Sequence, residues 1–262
     1  MQQRILDSLS SAGSRLKIER AEKHIRDINA LLEEFVASDF YSVEIETNGH
    51  CCPNYLRFHI DTSGFRLDIA AVVIGDALHN LRSALDLLYY AAILECGGRP
   101  TRWTRFPVFD TGKDVENKLR EALKKKQITT GIQELLLDTI KPYEAGNYAL
   151  WAVNELNITD KHQLLIPTLQ LMRFVGICLE DEKGDVVMED TAYFMDTSGR
   201  VRLDQELDCR TITLTDKGHA AATIMFNIGL PFQAQAVIPT LHQLVEVVSG
   251  VVESFRRAGF VK

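Results

Sequence analysis

The chain has 262 residues, is 46% hydrophobic and 25% charged, and carries a formal net charge of −7. These values describe a globular protein that can bury a sizeable core without staples, and they exclude a chain dominated by disorder. The acidic balance argues against a general nucleic-acid or acidic-membrane binder, because that affinity comes from excess Lys and Arg neutralising phosphates.

From about Leu16 to Ser38, Ala21, Ile25, Ile28, Leu32 and Phe35 recur at steps of four and three, which predicts an amphipathic helix. Tyr41–Thr47 and Leu56–Ile60 alternate polar and apolar residues, with Asn48, Gly49, Pro53 and Asn54 between them, the pattern of a β-hairpin. Arg66 to Cys96 is long and apolar, places Ile74, Leu78, Leu81, Leu85 and Leu88 at helical spacing, and stops at Gly97-Gly98. A loop with Pro100 and Phe106-Pro107-Val108 leads to a polar helix from about Lys113 to Lys126. A short helix over Gly131–Ile140 is stopped by Pro142, and another over Tyr148–Leu165 ends at Pro167.

The texture then changes to short β-rich runs: Phe174–Leu179, Val186–Met188, Val201–Leu203, Thr211–Leu214 and Ala222–Ile228. Turns are marked by Gly184-Asp185 and Ser198-Gly199. Pro239 can sit in the first turn of a last helix, whose stripe is Leu241, Leu244, Val248, Val251 and Phe255. The expected fold class is therefore α+β. A helical-bundle core with its N-terminal hairpin at about 41–61 would occupy residues 1–167. An antiparallel β-meander would fill 168–232, and a closing helix over 233–262 would pack back on the core.

The five cysteines form no CxxC pair, since Cys51 and Cys52 are adjacent and Cys96, Cys178 and Cys209 are scattered. Reduced thiols follow. Met1–Ser14 has no apolar core of signal length, and no run reaches the ~18 apolar residues of a membrane span. A cytoplasmic protein is expected.

On a helical wheel with Ile74 at zero, the apolar stripe of the central helix lies within about 40°, with Arg82, Asp86 and His79 at about 80°, 120° and 140°. These three polar residues form one row beside the stripe, on a helix apolar most of the way round, so at least partial burial is expected. Over Tyr148–Leu165, Asn154, Asn157 and Lys161 repeat the spacing, and Asp160 and His162 flank Lys161. If the two helices are neighbours, the rows form a buried polar seam.

Two readings of the seam stay open. In one, the residues are a satisfied hydrogen-bond network that fixes helix register in a non-catalytic interaction module. In the other, His79, Arg82 and Asp86 are catalytic: His79 moves a proton, Asp86 orients it or pairs with Arg82, and Arg82 holds an anion. Asn154, Asn157, Lys161 and His162 would then bind the ligand. The partners considered are RNA or a nucleotide and a second copy of the chain, with no membrane.

No metal motif is formed by His79, Asp86, Asp160 and His162, and there is no Gly-rich phosphate loop, GxSxG elbow or GxGxxG fingerprint; no cofactor is expected. The remaining histidines, His24, His50, His59, His219 and His242, are dispersed. Trp103 and Trp151 read as core or loop anchors. The best local basic patch is Lys118, Arg120, Lys124, Lys125 and Lys126, a run that usually forms a solvated helix face.

Four segments occur in order: Gly75-Asp-Ala-Leu-His-Asn-Leu-Arg-Ser-Ala-Leu-Asp86, Arg105-Phe-Pro-Val-Phe109, Lys141-Pro-Tyr143 and Asn154-Glu-Leu-Asn-Ile-Thr-Asp-Lys-His162. Together they resemble a bacterial family without an assigned activity, over roughly residues 20–165. Gln163 stands where that family's pattern usually continues with arginine. More distantly, the helical part resembles the HEPN superfamily, which includes metal-independent RNases of toxin–antitoxin and phage-defence systems. That resemblance implies a HEPN-like bundle. Those enzymes place four to six residues between an Arg and a following His, across a dimer. Here His79 precedes Arg82, and only three residues separate Arg20 from His24.

Overall fold

A computed structural model describes residues 2–47, 54–193, 199–203, 205–207 and 210–262. The fold is α+β. Its helices are α1 (Gln2–Ala37), α2 (Leu67–Glu95), α3 (Gly112–Lys124), α4 (Thr130–Glu134), α5 (Tyr148–His162) and α6 (Val237–Arg257). The strands are β1 (Tyr41–Thr47), β2 (Asn54–Ile60), β3 (Thr168–Asp181), β4 (Val186–Tyr193), β5 (Arg200–Arg202) and β6 (Ile212–Met225).

The chain divides into two compact units, one of Met1–Ile28, Asp68–Pro167 and Phe226–Lys262, the other of Asn29–Leu67 and Thr168–Met225. The division does not follow chain order: the β1–β2 hairpin, together with the end of α1 from Asn29, groups with the later strands.

In the helical unit α2 is the central element. Ile74, Leu78, Leu81, Leu85 and Leu88 are at most 2% exposed, and burying each such side chain contributes about 1.5–3 kcal/mol. The α6 stripe of Leu241, Leu244, Val248, Val251 and Phe255 is also buried, and α6 packs on α5. Thr111 caps α3 by accepting from the Asp114 amide at 3.2 Å. The basic run on α3 is a solvated face whose Lys118, Arg120 and Lys125 pair with Glu116 and Glu121. The helix expected over Gly131–Ile140 changes character midway. After α4 the turn widens into a π-helix over Leu135–Ile140, and Lys141, at φ 52°, closes it in the left-handed region before Pro142.

The second unit holds two three-stranded antiparallel sheets, ordered β1-β2-β5 and β4-β3-β6. The expected meander is thus interrupted. β5 leaves its chain neighbours to cover the free edge of β2, pairing Leu56 with Val201. The runs expected separately at Thr211–Leu214 and Ala222–Ile228 are one strand, β6. Pairing with β3 runs through its polar middle, where Gly218, at φ +67°, stands opposite Gly176, at φ +80°, and a register shift falls at Thr215, between Asp216 and Leu214. Phe58, Phe174 and Tyr41 form the aromatic centre of this unit, with ring centroids 4.4 and 5.0 Å from Phe174. Cys51, Cys52, Cys209 and His50 lie outside the described residues.

Candidate functional site

The polar row of α2 divides in two. Arg82 is 8% exposed, and its Nη2 donates to the Phe106 carbonyl at 2.9 Å. Asp86 Oδ1 accepts from the Phe106 amide at 2.8 Å and lies 3.2 Å from Arg82 Nη2. The two side chains therefore grip both backbone groups of one loop residue. Burial lowers the Arg82 guanidinium below its usual range, opposed by the Asp86 carboxylate. The Phe106 ring, 1% exposed, sits against Tyr89 and Phe255.

His79 is turned to solvent, a correction to the burial expected of it. Exposure follows the wheel: Arg82, nearest the stripe, is buried, Asp86 is intermediate, and His79, farthest away, is exposed. Its Nδ1 lies 3.3 Å from Asn157 Oδ1 on α5, and its Nε2 is 3.5 Å from the Ser83 hydroxyl. The geometry fits a proton on Nδ1 donated to Asn157 and an Nε2 lone pair that accepts a long bond from Ser83.

Asp160, one turn beyond Asn157, was not among the predicted site residues. Its carboxylate nests on the backbone of α2, where a Cβ on Gly75 would come within 2.4 Å of both its oxygens. Burial raises the Asp160 carboxyl above its ordinary value; Asp76 adds to the rise, while the Leu165 amide, His79 and Lys161 oppose it. Its Oδ1 is buried without a hydrogen-bond partner, as is Arg82 Nη1. A sequence signal for this nest existed in Gly75 itself, because glycine inside a helix costs about 0.5–1 kcal/mol and marks close approach.

Of the other predicted ligand-binding residues, Asn157 is 3% exposed and joins His79. Asn154 donates to its neighbour Glu155 at 3.1 Å, while Lys161 and His162 lie exposed on the last turn of α5. Asn80, missed in the sequence, accepts from Lys17 at 3.1 Å and donates to the Asp76 carbonyl at 2.7 Å. The third motif joins the same assembly, since the Phe109 amide donates to the Pro142 carbonyl at 3.2 Å. No group of three or more His, Cys, Asp or Glu side chains among the described residues is placed to hold a metal ion.

The Trp103 assignment is corrected. Trp103 is 72% exposed and anchors nothing, with the Arg102 guanidinium 4.8 Å from its ring centre. Trp151 does tie a loop, donating to Asp110 at 3.0 Å.

Chemically, Arg82 and Asp86 bind the peptide groups of Phe106, while His79, Asn157 and Asp160 form a separate group of which only His79 is exposed. No described helix is long and apolar enough to cross a membrane. Comparison with protein-family models, curated proteins and solved structures finds no match for the chain.

Proposed function

We propose that this protein is a non-catalytic interaction module in which the polar residues of α2 and α5 are internal fasteners. One observation carries the reading: Arg82 and Asp86 close on both peptide groups of Phe106, at 2.9 and 2.8 Å. A guanidinium this buried, with its Nη2 taken by Phe106 and Asp86, is a poor clamp for a substrate phosphate, and an Asp so occupied is badly placed to orient His79. The reading also accounts for the joint occurrence of the motifs, because the α2 motif holds the loop motif and seats the Asp160 of the α5 motif. A bacterial, cytoplasmic protein with a HEPN-like helical core fits this role. Support comes from the motif resemblance and from the free thiols of Cys96 and Cys178.

A second reading is favoured by the exposure of His79. Oriented by Asn157 and coupled electrostatically to Asp160, which Lys161 also influences, it is a candidate proton-transfer group for a site handling an anion or nucleotide, RNA included. Incubating wild type and His79→Ala with single-stranded RNA separates the two. The module predicts no cleavage by either protein. Cleavage by wild type that the variant loses would replace it with the second reading.

A further inference from the structure

The loop held by Arg82 and Asp86 carries a surface feature that the fastening role does not require. Between Glu95 and Asp110 the chain has no acidic residue and three arginines, Arg99, Arg102 and Arg105. Within it, residues 101–105 form a tight turn closed on itself. The Thr104 amide donates to the Thr101 carbonyl at 3.0 Å, the Thr101 amide to the Thr104 hydroxyl at 2.9 Å, and the Trp103 amide to the Thr101 hydroxyl at 3.2 Å. Arg105 donates to the Thr104 carbonyl at 3.1 Å and lies 3.7 Å from Asp86 Oδ2, yet its side chain is 60% exposed. The turn is ordered before any partner arrives, and it presents an indole to solvent.

Beside the turn is a hollow of about 140 Å³ whose wall combines the apolar Leu87 and Tyr90 with Asp86, Thr101, Arg102, Thr104 and Arg105. That volume is well below the roughly 300 Å³ at which small-molecule sites begin, so it has room for one small group and not a whole ligand. Its charge is positive on an acidic chain. The two lining arginines less the Asp86 carboxylate leave one positive charge, and Arg82 behind Asp86 adds a second. Two threonine hydroxyls supply neutral polar groups around it. Trp103 lies in the same turn with most of its surface free, and Tyr90, 36% exposed, forms part of the wall.

Arg102 lies over one face of the Trp103 ring, with its guanidinium carbon 4.8 Å from the ring centre. A cation stacked there leaves the other face for a base, while a phosphate in the hollow meets the guanidinium edges of Arg102 and Arg105. We infer that the Thr101–Arg105 turn and the hollow beside it bind a base together with its own phosphate, either a free nucleotide or the terminal nucleotide of a single strand. The inference rests on the interaction-module reading and gives it a ligand. The small hollow and the chain's net charge of −7 rule against an extended duplex, which needs a long basic track.

Titration calorimetry on the full chain tests this with adenosine 5′-monophosphate, adenosine, inorganic phosphate, a 5′-phosphorylated single-stranded oligoadenylate and a duplex. The monophosphate is expected to bind and adenosine to bind at least about tenfold more weakly. Trp103→Ala and Arg102→Gln should each weaken binding by about tenfold, the scale of one base–aromatic stack. Tighter binding of the oligoadenylate than of the monophosphate assigns the site to strand ends, and equal binding assigns it to free nucleotides. No binding by either, binding unchanged in Trp103→Ala, or preference for the duplex overturns the inference. Both substituted side chains are exposed, so thermal melting should stay at the wild-type value. Neither touches the grip on Phe106, so failure here is distinct from failure of the module reading, which the RNA cleavage comparison reports.

Discussion

Arg82 and Asp86 show how a polar pair beside a core can be satisfied by a backbone, here both peptide groups of Phe106. Removing the carboxylate leaves a nine-tenths buried guanidinium without its counter-charge and the Phe106 amide without its acceptor. Asp86→Ala should therefore destabilise the fold by about 3 kcal/mol, the lower end for breaking a buried pair. Asp86→Asn should cost less, because its amide oxygen can still accept from Phe106. Denaturant unfolding of both variants checks the order. Asp160 makes the opposite electrostatic prediction. Its carboxyl is raised by burial, so the folded state holds that proton more tightly than the unfolded chain does. The stability this group contributes is complete below its ordinary value of 3.8 and is lost as pH rises through the raised folded-state value. Asp160→Asn has no such proton to lose. Its melting temperature relative to wild type should rise across that window and level off above it. A difference that is flat with pH would show that the carboxylate is not disfavoured in its nest.

At the scale of elements, two glycines set how closely backbones approach. Gly75→Ala places a methyl within 2.4 Å of the Asp160 carboxylate and should cost about 1–3 kcal/mol by overpacking the α2–α5 joint. With Asp160→Ala already present the same change should cost little, and unfolding of the four proteins in that cycle measures the coupling. Gly218→Ala combines left-handed strain at φ +67° with a Cβ only 2.3 Å from the Val175 carbonyl. Gly184 has a φ of +80° and open space around it. Gly184→Ala should then cost about 1 kcal/mol of backbone strain alone and Gly218→Ala about 3 kcal/mol, since a clash with backbone is added.

These same elements define what was legible in the chain. Periodicity found α2 and α6 because every stripe residue of each is buried and burial is what periodicity encodes. It missed the continuity of β6, because Thr215-Asp-Lys-Gly-His219 has turn chemistry and only the opposite strand makes it a bulge. It could not place β5, whose partner β2 lies far away in the sequence and offers an edge, not a pattern. At the site, the His79–Asn157 contact was legible as two matching rows. The grip on Phe106 was not, because its partner is a loop peptide that no side-chain spacing can announce.

For the whole molecule, the charge balance separates two properties that composition merges. The chain is acidic, three cations of its lysine-rich helix face pair with Glu116 and Glu121, and the segment between Glu95 and Asp110 carries three arginines and no acid. That turn is held in place from α2 through Phe106, so the central helix acts on function by positioning a loop. The most direct test is amide hydrogen exchange at Phe106 in wild type, Asp86→Ala and His79→Ala. The account predicts a protected Phe106 amide in wild type and in His79→Ala, and an exchange rate raised by about a hundredfold in Asp86→Ala, as expected for losing roughly 3 kcal/mol of protection. Unchanged protection in Asp86→Ala, or equal loss in His79→Ala, would contradict it.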